Sequence, residues 1–157
     1  METQQYLDIR PSPIAGTWYP GEPNELRQLI ESFLQAAKTP QVQGEILGVI
    51  VPHAGIIYSG FTAAHAFKAL IGKDYHRVIA LSPSHQYYRE PLLTTGHEAY
   101  ATPLGIVPVD HKALSVIQQL LSTSTGIAVT PVRRDREHSL EIELPFLQVV
   151  LPKGFSL

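Results

Sequence analysis

Val49-Ile50-Val51-Pro52-His53-Ala54-Gly55, with its echo Ile79-Ala80-Leu81-Ser82-Pro83-Ser84-His85, decides how the chain is read. In each stretch a short apolar run closes on a proline and then a histidine. Short apolar runs bounded by turn residues suit strands buried on both faces. Open α/β sheets bind ligands just outside the carboxyl ends of such strands. Two strands that each end in histidine therefore bring two imidazoles to one rim. Histidine is the commonest metal ligand and titrates near neutrality, so His53 and His85 are candidate metal ligands or an acid/base pair, with ordinary hydrogen-bonded histidines as the plainer reading of the same residues. They lie too far apart in sequence to form a local motif such as His-Glu-x-x-His, and a metal centre needs a third ligand.

Working outward, residues 46–51 and 77–81 read as core strands. The helix between them carries Ala63, Ala64, Phe67, Leu70 and Ile71, with small residues that let it lie close to the sheet and Gly72 at its end. That is a βαβ unit, for which a right-handed parallel crossover is the expectation. Before it, Leu26, Leu29, Ile30, Phe33, Leu34 and Ala37 make one apolar helical face. Pro23 suits its first turn, and Thr39-Pro40 ends it.

After His85, residues 86–105 read as a long polar loop, the kind of segment that is often functional. Residues 106–109 form a short strand, Asp110 caps a helix bearing Ala113, Leu114, Ile117, Leu120 and Leu121, and residues 127–129 form another strand. The last helix starts near Ser139, its expected N-cap, and Pro145 should kink it or delay its regular start. Residues 153–157 look like a loop turning into a further strand. The expectation is one α/β domain over residues 1–157, with a mostly parallel or mixed central sheet flanked by helices. Residues 1–22, broken by prolines and glycines and holding the only tryptophan, Trp18, form an irregular lid.

Composition narrows the function classes. Apolar residues make up 44% and charged residues 17%, which is globular. A formal charge of −2 gives no footprint for nucleic acid or an anionic membrane. The absence of cysteine removes disulfide and thiolate chemistry from these residues and fits a cytoplasmic protein. The first residues carry no basic stretch followed by an apolar run, so no secretory signal is read there, and no apolar run approaches the ~20 residues of a membrane helix.

His138 is the third histidine of interest. With a helix starting at Ser139, His138 and Glu141 sit together at its mouth, as an acid/base pair or as supports behind the metal ligands; a capping cluster within a solvated charge run is the plainer use of the same residues. His65 reads as a packed or surface histidine, and His76, His97 and His111 are assigned no role. Ser59 and Ser84 lie near the two leading histidines, but there is no Gly-x-Ser-x-Gly elbow for a hydrolase. No Walker loop or Gly-x-Gly-x-x-Gly is present.

Five ordered stretches carry a resemblance: Ala15-Gly16-Thr17-Trp18-Tyr19-Pro20, Val51-Pro52-His53-Ala54-Gly55 with Tyr58-Ser59-Gly60, Leu81-Ser82-Pro83-Ser84-His85, Thr102-Pro103-Leu104-Gly105, and Glu137-His138-Ser139-Leu140-Glu141 leading into Leu144-Pro145-Phe146-Leu147. From about residue 10 onward the chain resembles the Memo-like family, also called AmmeMemoRadiSam system protein B, which is similar in fold to LigB-type class III extradiol dioxygenases. The resemblance implies an α/β domain with a metal-capable cleft, with His53 and His85 at the positions of the family's metal ligands and His138 bordering the cleft. The metal it implies is iron(II) or copper, with zinc also compatible.

Members of that family are nearly twice as long, and their C-terminal half supplies a cysteine ligand and an Asp-x-x-His-type segment. The chain thus matches the N-terminal half, a fold incomplete at its C-terminus, and self-association or pairing with a missing C-terminal half is expected. Three uses remain open: metal-dependent redox chemistry in the complete protein; a binding module for a small molecule or phosphopeptide, lined by Tyr58, Tyr87, Tyr88 and Arg89; or a chain inactive by itself. AMMECR-type and radical-SAM partners are implied by the resemblance alone.

Overall fold

The computed structural model describes residues 6–39 and 41–157. Residues 1–5 and Pro40, and the expectations placed on them, lie outside the described residues. The architecture is α/β with mixed pairing. A short strand β1 (Ile9–Arg10) pairs in parallel with β3 (Ala99–Thr102), which pairs antiparallel with β4 (Gly105–Pro108). A second sheet joins β2 (Leu92–Thr95) to β5 (Val129–Val132) in parallel. The region read as a polar loop therefore contains two strands, β2 and β3, because Leu92, Leu93, Ala99 and Tyr100 find partners far away in sequence. The strand expected at residues 127–129 lies slightly later, at β5.

The helices fall where the apolar periodicity puts them. Helix α1 (Pro23–Ala36) has Pro23 in its first turn and buries Leu26, Ile30 and Leu34. Helix α2 (Ile56–Lys68) buries Ile56, Ala63, Ala64 and Phe67. Its small residues admit α1 rather than the sheet. A Cβ at Gly60 would stand 2.9 Å from the ring of Phe33, a distance real Cβ atoms do not adopt. Helix α3 (His111–Thr125) is capped as expected, with Asp110 accepting from the Ala113 N–H at 2.9 Å, and Gly126 closes it with φ 71°.

Pro145 delays the last helix: a 3-10 turn (Glu141–Glu143) precedes α4 (Leu144–Val150), whose first turn holds the proline. Helices α1, α2 and α4 pack together, and Phe67 stacks on Phe146 with ring centroids 5.0 Å apart. Burying aromatic and aliphatic side chains of this size stabilises by roughly 1.5–3 kcal/mol each. Ser139 does not cap α4. Its hydroxyl donates to the Pro83 carbonyl at 2.7 Å, tying the 3-10 turn to the end of the second apolar run.

The two leading apolar runs are extended but not laddered, so the expected βαβ unit has its helix without its paired strands. Only Arg77 forms a bridge, in parallel with Ser156, as the anticipated turn into a strand at residues 153–157 brings Ser156 alongside. Beside that bridge the Val78 N–H donates to the Ser156 carbonyl at 2.9 Å, whereas residues 46–51 and 79–81 make no backbone–backbone hydrogen bonds among the described residues. Val78 and Ala80 face inward while Ile79 and Leu81 face solvent, the period-2 pattern of a strand without a neighbour.

The N-terminal segment is pinned by charge. Arg10, 3% exposed, donates to Asp135 Oδ1 at 2.7 Å, to Glu141 Oε2 at 2.8 Å and to the Glu137 carbonyl at 2.5 Å. Glu141 Oε1 accepts from the Tyr19 hydroxyl at 2.8 Å and the Ile14 N–H at 3.4 Å. Burial opposes the charge on Arg10, but its bonds to Asp135 and Glu141 outweigh that and raise its pKa. Removing one member of such a buried network strands the others. Arg10→Met is expected to lower the unfolding free energy by roughly 3–5 kcal/mol in urea titration, and Arg10→Met with Glu141→Leu to recover part of that loss.

Candidate functional site

Three histidines from separate segments meet at the surface end of the two apolar runs. The ring centroids of His53 and His85 are 5.2 Å apart, those of His85 and His138 4.5 Å, and those of His53 and His138 6.1 Å. Pro52 and Pro83 precede the first two and restrict the backbone there. His138 follows the loop that Arg10 clamps. Trp18, from the N-terminal segment, covers His138 with a centroid separation of 4.2 Å. The lid expected at residues 1–22 thus includes β1 and places its tryptophan against the cluster.

Glu137 organises the imidazoles. Its Oε1 lies 2.9 Å from His85 Nδ1 and accepts from the N–H groups of His138 at 2.8 Å and Ser139 at 2.9 Å, while Oε2 accepts from the His85 N–H at 2.5 Å. Burial works against its ionisation, but these bonds from His85, Ser139 and His138 prevail and hold the carboxyl down at about 2. An ionised Glu137 accepts a hydrogen bond from the Nδ1–H of His85, which leaves His85 Nε2 as the free donor atom. Burial and the neighbouring imidazoles of His85 and His53 hold His138 below the usual histidine range, against the pull of Glu137. A neutral imidazole is the form that ligates metal.

Ligand atoms of His85, Glu137 and His138 all lie within 4.8 Å of one another, so these three groups could hold one metal ion. His53 stands beside this group rather than within its tightest set. With metal–nitrogen distances of about 2.0–2.1 Å, two imidazoles on one ion have ring centroids roughly 4.5–5.2 Å apart for ligand angles of about 90–109°. The His85–His138 and His53–His85 separations fall in that range, and the His53–His138 separation of 6.1 Å lies outside it.

Glu141 goes elsewhere: its carboxylate is committed to Arg10, Tyr19 and Ile14, and burial pushes its pKa up despite those bonds. It braces the loop that carries His138 and Glu137. Tyr58 and Tyr87 stand exposed and Arg89 is exposed with them, whereas Tyr88 lines a cavity of about 210 Å³ beside Tyr100, Arg10 and Glu137. A larger cleft of about 730 Å³ runs between the two apolar runs and reaches His53, Pro83 and Ser139. Glu137 is the residue that sequence reasoning passed over; its signal was its place directly before His138 in a charged stretch, which also suits a solvated surface.

A family model described as "Memo-like protein" matches residues 10–155. The chain belongs to the Memo-like family. It is 37% identical to a "MEMO1 family protein" of Nitrosopumilus maritimus over 95% of this chain and 54% of that relative. It is 33% identical to a Thermoplasma volcanium "MEMO1 family protein" over 94% of this chain and 53% of the relative. It is 35% identical to the "Protein memo-1 homolog" of Caenorhabditis elegans over 87% of this chain and 38% of the relative. The chain thus spans about half the length of curated Memo-like relatives that it matches. No helix among the described residues is long and apolar enough to cross a membrane.

The depressed Glu137 pKa fixes a pH dependence for this Memo-like chain. With a folded value of about 2 against an ordinary value of 4.5, the unfolded state binds more protons between those values, so the contribution is complete above about 4.5 and is lost as pH falls toward 2. Urea unfolding across that range should show Glu137→Gln less stable than the parent at pH 7 by on the order of 2 kcal/mol after solvent screening, with the difference closing at acid pH. A constant difference would mean that the glutamate acts by packing alone.

Proposed function

We propose that this chain supplies the histidine side of a metal-binding cleft in a Memo-like protein, with His53, His85 and His138 as the imidazole donors and Glu137 as the carboxylate that orients His85. The convergence of these three rings from three segments is the observation that carries the reading. Imidazole donors suit iron(II), copper and zinc; iron(II) and copper are favoured for a redox function of the whole protein, and such an ion would supply Lewis acidity and one-electron chemistry when bound. This chain's own residues would do three things. Glu137 holds the His85 proton on Nδ1, Trp18 shields His138 from water, and Arg10 keeps the loop bearing Glu137 and His138 in place.

The substrate, a small molecule or a peptide, would enter on the exposed side of His85. The setting proposed is the cytoplasm, consistent with a chain free of cysteine. AMMECR-type and radical-SAM proteins are the partners proposed for the complete protein, on resemblance alone.

Anaerobic calorimetry with iron(II), copper and zinc tests the site. One ion per chain is expected, with affinity at least tenfold weaker in each of His53→Ala, His85→Ala and His138→Ala, and about 10–100-fold weaker in Glu137→Gln. Copper(II) should also quench the fluorescence of Trp18, the only tryptophan. Equal affinity in parent and variants, or unquenched Trp18, would overturn the reading.

A further inference from the structure

The segment Arg133-Arg134-Asp135-Arg136-Glu137 sorts its charges by side. Both acids turn inward: Asp135 accepts from Arg10 at 2.7 Å, and Glu137 is bonded to His85 and to the N–H groups of His138 and Ser139. The three arginines are exposed. Arg133 pairs with Asp8, whereas Arg134 and Arg136 form no ion pair among the described residues. In the loop after His85, Arg89 stands next to Glu90, which offsets its charge. The surplus on Arg134 and Arg136 contrasts with a formal charge of −2 for the whole chain. Two ties fix that surplus beside the histidines. Gln86, which directly follows His85, accepts from the Arg136 N–H at 2.8 Å through its side-chain carbonyl, and Glu137 holds the His85 ring. Arg134 is held at φ 58°, and backbone strain of this kind gathers at binding sites.

We propose that Arg134 and Arg136 form an oxyanion-binding rim beside the histidine cluster, and that the ligand of this site is a small molecule carrying one carboxylate or phosphate group. The proposal rests on the metal reading for the other end of the ligand, while the rim itself needs no metal. Guanidinium groups present paired N–H donors that match carboxylate and phosphate oxygens, and they shed water more readily than ammonium groups do. Neutral imidazoles do not offset the charge of a divalent ion, and Glu137 supplies a single negative charge. A loaded site therefore draws an anion to the same side as the rim. Two cations on a three-residue span suit one oxyanion. A row of acidic residues on a peptide would call for a longer patch.

The test strips metal from the chain on a chelating resin and titrates it with acetate and with methyl phosphate, following the arginine Nε–H signals by NMR. The two anions distinguish a carboxylate from a phosphate ligand. Saturable shifts at Arg134 and Arg136 are expected. Arg134→Gln and Arg136→Gln should each weaken binding about tenfold and leave the melting temperature unchanged, since both side chains are exposed and unpaired. Arg89→Gln should leave the affinity within about twofold, because Glu90 already offsets that charge. Loading with zinc should tighten anion binding at least tenfold, and His85→Ala should abolish that gain. Absence of a saturable shift at either arginine, or equal weakening by Arg89→Gln, would overturn the proposal. Zinc bound by calorimetry without any gain in anion affinity would overturn the link between rim and metal site. Anion binding at the rim in a chain that takes up no zinc would uphold the rim and overturn the metal reading instead. An acidic peptide held more tightly than either small anion would overturn the small-molecule assignment.

Discussion

One guanidinium holds the N-terminal segment, the histidine-bearing loop and the 3-10 turn ahead of the last helix together. Arg10 reaches Asp135, the Glu137 carbonyl and Glu141 at once, all from within a nearly dry interior. Each of those acceptors would be costly to bury alone, and Arg10 would be costlier still. The cluster is therefore an all-or-none unit. Its functional weight comes from what it carries, because the loop between Asp135 and Glu141 bears Glu137 and His138. An interaction that looks purely structural fixes where two of the site's groups can stand.

From that clamp the site follows in order. Glu137, anchored through its carbonyl by Arg10, spends its carboxylate on His85 and on the N–H groups of His138 and Ser139. Ser139 then fastens the loop to Pro83, just ahead of His85. Trp18 arrives on the same N-terminal segment as Arg10 and closes over His138. The three imidazoles are thus positioned by backbone ties and one carboxylate, with little left to side-chain freedom. The loop turns through Arg134 at φ 58°, a left-handed conformation uncommon outside glycine and asparagine. Its bonds on either side hold it there.

Helices were the legible part of this sequence because period 3.6 is a local signal: the face from Leu26 to Ala37 and the Asp110 cap need only their own neighbourhood. The strands were less so. Residues 46–51 and 77–81 have the composition of core strands, yet pairing depends on a neighbour, and only Arg77 finds one. Conversely, β2 and β3 hid in a polar stretch because their partners, β5 and β1, lie far away in the chain. His53 and His85 could be found from their strand-end positions. Glu137 could not, since a glutamate beside arginines reads as surface charge until Arg10 is seen to draw its loop inward. Glu141 stood out in sequence for its place near His138, but its fully buried carboxylate turns toward Tyr19 and Arg10 instead.

Pro52 and Pro83 have a bearing on how the chain behaves in concentrated solution. Residues 46–51 form an uncharged, mostly β-branched hexamer, a composition prone to stacking copy on copy into fibrils. A proline that lacks an N–H stops any such ladder from propagating past its own position. Each open run is therefore short and punctuated, and the same residue that stiffens the approach to a histidine also limits the length of any mispaired sheet.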